Sequence, residues 1–454
     1  PPRGGRLRRE WLARPRLSPE RIAARHDAVE ELVSDAELRG FVTEMLDSVG
    51  DVARLAMRVA AARAHGRDLV ALADSLERLP VLKERLSRCA AETFLSLAAE
   101  LSDFSAEVDA IREAIVDEPP LAIKEGGVIR TGHSEELDRL RSLSRSGKDW
   151  IAELQAKERE RTGIANLKVG YNKVFGYYLE VTHANRGLVP AGWERRQTLV
   201  GAERYMTGEL KEREAEIVGA EEKARALEVE LFVELRSRLA VSCARMRSAG
   251  EALATLDVLV TFADVARRGD WVRPVVGASE RIDVRGGRHP VVEAGLPANE
   301  FVPNDVRFDA NRQILLVTGP NMAGKSTFLR QVALIVILAQ AGSFVPADAA
   351  EIGVVDRVFT RVGASDFVAR GHSTFMVEMV EVSRILAAAT PRSLVLLDEV
   401  DSRTSTYDGI AIAGAVTEFM HELPDRAART RFVTYFYELL ELAEKLPRAV
   451  NLRA

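Results

Sequence analysis

The stretch "GPNMAGKST" (319–327) has the spacing G-x-x-x-x-G-K-S, which suits a chain that wraps phosphate. Gly319 and Gly324 let backbone amides turn inward around the phosphates. A helix N-terminus just beyond adds its positive end. Lys325 is placed to reach the β and γ phosphates, and Ser326 to ligate magnesium. A second pair of groups ends the apolar run "SLVLLDEV": Asp398 suits a metal ligand, and Glu399 a base that takes a proton from water. The two halves together are the chemistry of nucleoside-triphosphate hydrolysis. A third stretch, "RVGASDFVARGHSTFMVEM" (361–379), puts Ser373 and Thr374 at a helix start, where amides and hydroxyls face an anion or simply cap the helix.

These residues need rigid elements behind them. "ILLVT" before the first motif predicts a buried strand, and "FLRQVALIVILAQ" after it a buried helix. From Arg281 onward, "GRHPVVE", "QILLVTGP", "SLVLLDEV" and "TRFVTYF" read as short β runs between helical segments, an α/β pattern. The boundary falls near 270–285, after "RRGDWVRP". The first 115 residues carry helical spacing instead. "SPERIAARHDAVEELV" opens with Ser18 at an N-cap and Pro19 at N1, although Arg21 stands where a capping box wants Glu. "DEPPLAIKEGGVIRTG" (117–132) interrupts the helices. A helix resumes near Ser134 with Leu137, Leu140, Leu143, Ile151 and Leu154 on one side.

Between 165 and 200 the period becomes two: Leu167, Val169 and Tyr171, then Phe175, Tyr177, Leu179 and Val181, alternate with other residues as in a β-hairpin. Helical spacing returns over about 203 to 240 through Met206, Leu210, Ile217, Ala220, Ala224, Leu227 and Leu231, a rod of roughly 50 Å. Its narrow apolar seam suggests antiparallel pairing with the helix at 134–161. Ordinary surface helices on a core are the plainer alternative.

The 454 residues allow two to four domains, and a net charge of −5 makes any nucleic-acid surface local. Cys89 and Cys243 lack metal spacing and read as small buried residues of a reducing compartment. No secretory signal is visible, and an opening without methionine is compatible with a fragment. The longest apolar run, "VALIVILAQA", is too short to span a bilayer. A soluble cytoplasmic protein is expected.

"TGPNMAGKSTFLRQVALIVILAQAGSFVPA", "RVGAS", "STFMVEM" and "TSTYDG" resemble the ATPase domain of the MutS family of bacterial DNA mismatch repair proteins. "RLRREWLARPRLSPERIAARHDAVEEL" is similar to the start of that family's helical core. "ERERTGIANLKVGYNKVFGYYLEVT" and "QTLVGAERYMTGELKE" are similar to its DNA clamp. The resemblance implies a multidomain α plus α/β chain. A long helical lever carries a small β clamp between two long helices, and an α/β P-loop ATPase domain of the ABC type follows. The expected boundaries are 1–133 for the helical core, 134–164 for the lever helix and 165–202 for the clamp. The returning lever and connector take 203–280, and a C-terminally incomplete ATPase domain takes 281–454. The resemblance further implies ATP and ADP with Mg2+, a homodimer on mispaired double-stranded DNA, the downstream repair protein MutL as partner, and a cytoplasmic, nucleoid-associated location. By the resemblance Pro320, Asn321, Met322, Ala323 and Thr327 would join Gly319, Gly324, Lys325 and Ser326 around the phosphates, Phe301 would stack on adenine, and Ser373 would reach the nucleotide of the partner subunit. Clamp contacts to DNA would come from Lys168, Tyr171, Asn172 and Lys173, with Arg186, Arg195, Arg196 and Arg204 adding positive charge.

The chain departs from the family pattern at definite places. Asp401, Ser402 and Arg403 replace a Gly-Arg-Gly, Tyr435 replaces a histidine, Phe367 and Val368 replace an acid and Leu, and Val200 replaces a lysine. The family's mismatch-reading region and final helix-turn-helix have no counterpart in this stretch. Asp401 and Tyr435 favour an alternative, a nucleotide-switched DNA clamp with little or no ATP turnover. A related recombination-suppressing ATPase is a further alternative, against which the clamp segment argues.

Overall fold

The computed structural model describes residues 2–172, 176–297, 300–319, 324–361, 374–398 and 406–453. Eight short helices open the described chain: α1 to α4 are Pro2–Ala13, Pro19–Ser34, Ala36–Ser48 and Val52–Ala60. Then α5 to α8 are Gly66–Leu76, Leu79–Leu86, Glu92–Glu100 and Ser105–Ala114. Helix α2 starts as its sequence predicts, with the Ser18 hydroxyl accepting from Arg21 N at 3.3 Å and Pro19 behind it. The chain divides into two compact units, one of residues 1–48, 80–101 and 251–454, the other of 49–79 and 102–250.

In the second unit α9 (Glu135–Thr162) lies against α10 (Gly208–Ala240). Ion pairs Lys157–Glu209 at 3.8 Å and Arg141–Glu228 at 2.9 Å fix their antiparallel sense. Leu137, Leu140 and Leu154 are buried, while Leu143 is 49% exposed and falls outside the expected seam. Glu228, itself buried, also accepts from Val128 N at 2.5 Å and Ile129 N at 2.8 Å, which ties the interrupting segment to both long helices. Between the helices stand β1 (Lys168–Asn172), β2 (Gly176–Thr182), β3 (Glu194–Thr198) and β4 (Ala202–Met206), in the order β1-β2-β4-β3. All their pairings are antiparallel.

The expected single hairpin is therefore half of a four-stranded module, and the helix expected from 203 begins at Gly208. Met206, counted on the helical seam, packs instead beside Tyr205, Leu179, Val181 and Trp193 in the module's own core. Thr207 marks the change: its hydroxyl accepts from Leu210 N at 3.1 Å and starts α10.

Helix α11 (Cys243–Arg268) leads into strands β5 (Val275–Gly277) and β6 (Ile282–Gly287). "GRHPVVE" does not continue the strand. His289 caps a short helix, α12 (Pro290–Glu293), by accepting from Val292 N at 3.2 Å, and Pro290 at its first position favours the turn over the β tendency of Val291 and Val292. Strands β7 (Asn304–Phe308) and β8 (Ile314–Thr318), helix α13 (Lys325–Ala341), then β9 (Ala349–Gly353) and β10 (Val358–Arg361) follow. After them come α14 (Thr374–Ala388), β11 (Leu394–Asp398), α15 (Thr406–Glu422), β12 (Arg429–Val433), α16 (Leu442–Lys445) and β13 (Ala449–Arg453).

A five-stranded parallel sheet runs β10-β11-β12-β8-β13, and a mixed four-stranded sheet runs β5-β9-β6-β7. Helix α13 packs in a core that draws from both: Leu329, Val332, Ile335 and Val336 meet Leu315 and Val317 of one sheet and Ile282 and Val284 of the other. Each such buried side chain contributes about 1.5–3 kcal/mol by leaving water. The opposite face of the parallel sheet is covered by Val382 and Ile385 of α14 and Ala413, Val416 and Met420 of α15. The fold is thus a mixed helix-and-sheet structure of more than one domain. Cys243 is buried as expected, but Cys89 is only half-buried; burial and then Glu31 push its thiol up to about 11.

Candidate functional site

All five residues of β8 are buried, so the strand delivers Gly319 from the middle of a fixed sheet. Gly324 precedes α13 with φ 80, a left-handed conformation that a side chain strains, and Phe328 N donates to Gly324 O at 2.9 Å as the helix begins. Lys325 is 5% exposed. Its Nζ donates to Gly319 O at 2.6 Å and lies 4.0 Å from the centre of the Tyr435 ring. Ser326 and Thr327 are half-buried in the same first turn.

Asp398 ends β11 opposite Val433 of β12, and it is buried. Its Oδ1 has no hydrogen-bond partner among the described residues. One carboxylate oxygen kept out of water without a donor is a group suited to a cation.

Arg431 is a functional candidate that the sequence reading did not single out. It is fully buried, opposite Leu396 in the register that also sets Val433 opposite Asp398, so it shares a sheet face with Asp398. The guanidinium stacks on Phe328 at 3.2 Å and donates to Phe328 O at 2.9 Å, while Nε and Nη2 have no hydrogen-bond partner among the described residues. Burial lowers its pKa to about 9, opposed by Asp398. An arginine within "TRFV" was the available signal, since charged residues avoid the central strand of a parallel sheet.

Phe301 is half-buried in the bend before β7 and shares no ring contact or hydrogen bond with Gly319 or Gly324–Thr327 among the described residues. Pro320, Asn321, Met322, Ala323, Ser373, Glu399 and Lys173 lie outside the described residues, as do Asp401, Ser402, Arg403, Phe367 and Val368.

In the β module, Lys168 is exposed at the start of β1. Tyr171 is 51% exposed with its ring 4.9 Å from Tyr177, and Asn172 ends the strand. The arginines are more committed than their sequence suggests. Arg204 bonds Glu180 at 3.1 Å and Gln197 at 2.9 Å, and stacks over Tyr178. Arg186 and Arg195 lie 3.6 and 3.5 Å from the buried carboxylate of Glu203, and Arg196 pairs with Glu194 at 3.2 Å. Glu203 accepts from the Tyr205 hydroxyl, which with those two arginines holds its pKa below the ordinary value. Val200, where a lysine was expected, is wholly exposed.

Two family models match this chain: MutS domain III over residues 2–263 and MutS domain V over 315–454. The chain belongs to the MutS family. Among curated relatives, "DNA mismatch repair protein MutS" of Salinibacter ruber is 52% identical over 454 residues, all of this chain and 50% of the relative. The protein of that name from Symbiobacterium thermophilum is 51% identical over 99% of this chain and 51% of its own length. "DNA mismatch repair protein MutS 2" of Halobacterium salinarum is 53% identical, with the same two shares. The chain thus spans about half the length of the curated MutS relatives it matches. Among the described residues, no helix is long and apolar enough to cross a membrane.

Proposed function

We propose that this chain is the lever, clamp and ATPase portion of a DNA mismatch repair protein, working as a homodimer on mispaired duplex and handing on to MutL. The observation that carries the reading is what stands at the same end of the parallel strands: a buried lysine just after β8, and at the end of β11 an aspartate whose Oδ1 has no hydrogen-bond partner among the described residues. It fits the phosphates of ATP or ADP in a P-loop domain of the ABC type. The residues fit a divalent cation as well, since Mg2+ takes one or two protein oxygens and completes its shell with phosphate and water. Ser326 and Asp398 would hold it. When bound, the magnesium nucleotide supplies the reacting phosphoryl group and a neutralising charge beside it.

Each protein group then has one task. The amides between Gly319 and Thr327 wrap the phosphates, and Lys325 neutralises their oxygens. Glu399, next along the chain from Asp398, takes the proton from water. Phe301 holds the adenine, and Ser373 serves the partner's site. Residues 1–133 form the core, 134–164 the outgoing lever and 281–454 the ATPase domain. The clamp extends from 165 through Met206, where β4 ends, and the returning lever and connector follow to 280. Lys168, Tyr171, Asn172 and Lys173 hold the DNA backbone and keep the protein at the nucleoid.

A second reading, a clamp switched by nucleotide with little turnover, is favoured by Tyr435. A phenol does not share a proton near neutral pH as imidazole does. Single-turnover phosphate release separates the two readings, with Glu399→Ala as the blank. Combining Asp401→Gly, Ser402→Arg, Arg403→Gly and Tyr435→His should raise the rate at least about ten-fold. A parent chain as fast as that variant would make these departures silent and leave an ordinary ATPase.

A further inference from the structure

We propose that Tyr435 is a positioning residue for Lys325: its ring face holds the lysine ammonium and competes for it with the phosphates of a bound nucleotide. The inference rests on the reading of Gly319–Thr327 as a phosphate site. Lys325 is buried, and an ammonium out of water needs compensation on every side. One of its three protons goes to Gly319 O at 2.6 Å. Among the described residues, further compensation comes from the Tyr435 ring, whose centre lies 4.0 Å from Nζ, well inside the range at which an aromatic quadrupole attracts a cation.

The geometry has a definite origin. Strand β12 lies beside β8, and Thr434 N donates to Val317 O at 3.1 Å, which carries their pairing one step past the end of β12. Tyr435 is the next residue, so it emerges beside the end of β8. Thr434 Oγ1 then accepts from Phe436 N at 3.0 Å and turns the chain there. Tyr435 is 38% exposed, so its ring is not sealed inside the core. A phosphate drawing the ammonium toward itself must give up some of the ring contact. The ring thereby lowers nucleotide affinity and helps the cation return when nucleotide leaves. A contact of this kind corresponds to roughly 2- to 30-fold in an equilibrium constant.

Two measurements on the whole chain test this. The first uses no nucleotide: Tyr435→Leu should lower the melting temperature in the parent chain, and by clearly less in a Lys325→Met background. The second is titration with fluorescent ADP in magnesium. Tyr435→Leu should tighten binding about three-fold or more, Tyr435→Trp, with its stronger ring, should weaken it, and Tyr435→Phe should restore the parent value. A purely structural role does not follow that order. Equal melting losses in both backgrounds, or unchanged or weaker binding by Tyr435→Leu, would overturn the inference. A parent chain that takes up no nucleotide, with the melting difference intact, overturns the phosphate-site reading and not the pairing.

Discussion

The loop after β8 and the four-stranded module both carry cations, and they treat them in opposite ways. Lys325 is withdrawn from water and held by a carbonyl and a ring, with Arg431 buried on the neighbouring strand. Lys168 stands in solvent, and the arginines around it are shared among Glu180, Glu194 and Glu203. A buried cation is strong because few groups compete for it, whereas an exposed one is screened by salt and water. Removing Lys325 should therefore cost ligand binding far more than removing an exposed cation of the module.

The largest effect is expected at Lys325. Lys325→Ala should weaken nucleotide binding by more than about 100-fold in a fluorescence titration, because it removes the fixed cation of the loop. Binding at the parent affinity would break the comparison at its root.

The far end of α13 supplies the next test. There Arg25 donates to Ala341 O at 2.7 Å, and His26 Nε2 donates to Ala339 O at 3.0 Å. Burial, then repulsion from Arg273, lowers the His26 pKa from 6.5 to about 4. The unfolded chain takes up this proton first as pH falls, so the stability from neutral His26 is full above pH 6.5 and drains away toward pH 4. At pH 5 the loss should be about 2 kcal/mol, read from urea unfolding over a pH series. In His26→Gln that part of the slope should vanish; an unchanged slope would show that His26 is not the titrating group.

Arg431→Met sharpens the contrast further. Exchanging a buried, partly unsatisfied guanidinium for an apolar chain should stabilise the protein by about 1–4 kcal/mol in the same unfolding assay. A fall in stability would mean that the Phe328 contacts outweigh burial. The smallest effects belong to the module. Lys168→Glu should weaken duplex binding several-fold on every sequence and lower the salt slope by about 1, while Arg196→Ala, already paired, should change affinity by less than about two-fold. Equal effects would show that pairing does not withhold these arginines from DNA.

The same contrast governs what could be read in advance. The strand, loop and helix around Lys325 are contiguous in sequence, so spacing and local conformation placed them together. The module's second hairpin was hidden because "AERYM" does not alternate: both Tyr205 and Met206 are buried, and Met206 stands at helical spacing from Leu210. Ion pairing in the module joins residues such as Arg186 and Glu203 on different segments, and no local pattern marks it. Arg431 escaped for a related reason: its strand was evident, but its surroundings come from Phe328 on α13. "GRHPVVE" misled through its valines, where the proline and the histidine cap decide.

The bond from Arg25 to Ala341 O joins residues 316 positions apart, and it has a consequence for biosynthesis. At ribosomal speeds of roughly 5–20 residues per second, α2 emerges roughly 15 to 60 s before the end of α13 exists. During that interval Arg25 and His26, buried in the finished protein, lack the Ala341 and Ala339 carbonyls to which they donate. Helix α2 is thus made long before the last of its hydrogen-bond partners, and these two side chains wait in water until α13 is complete.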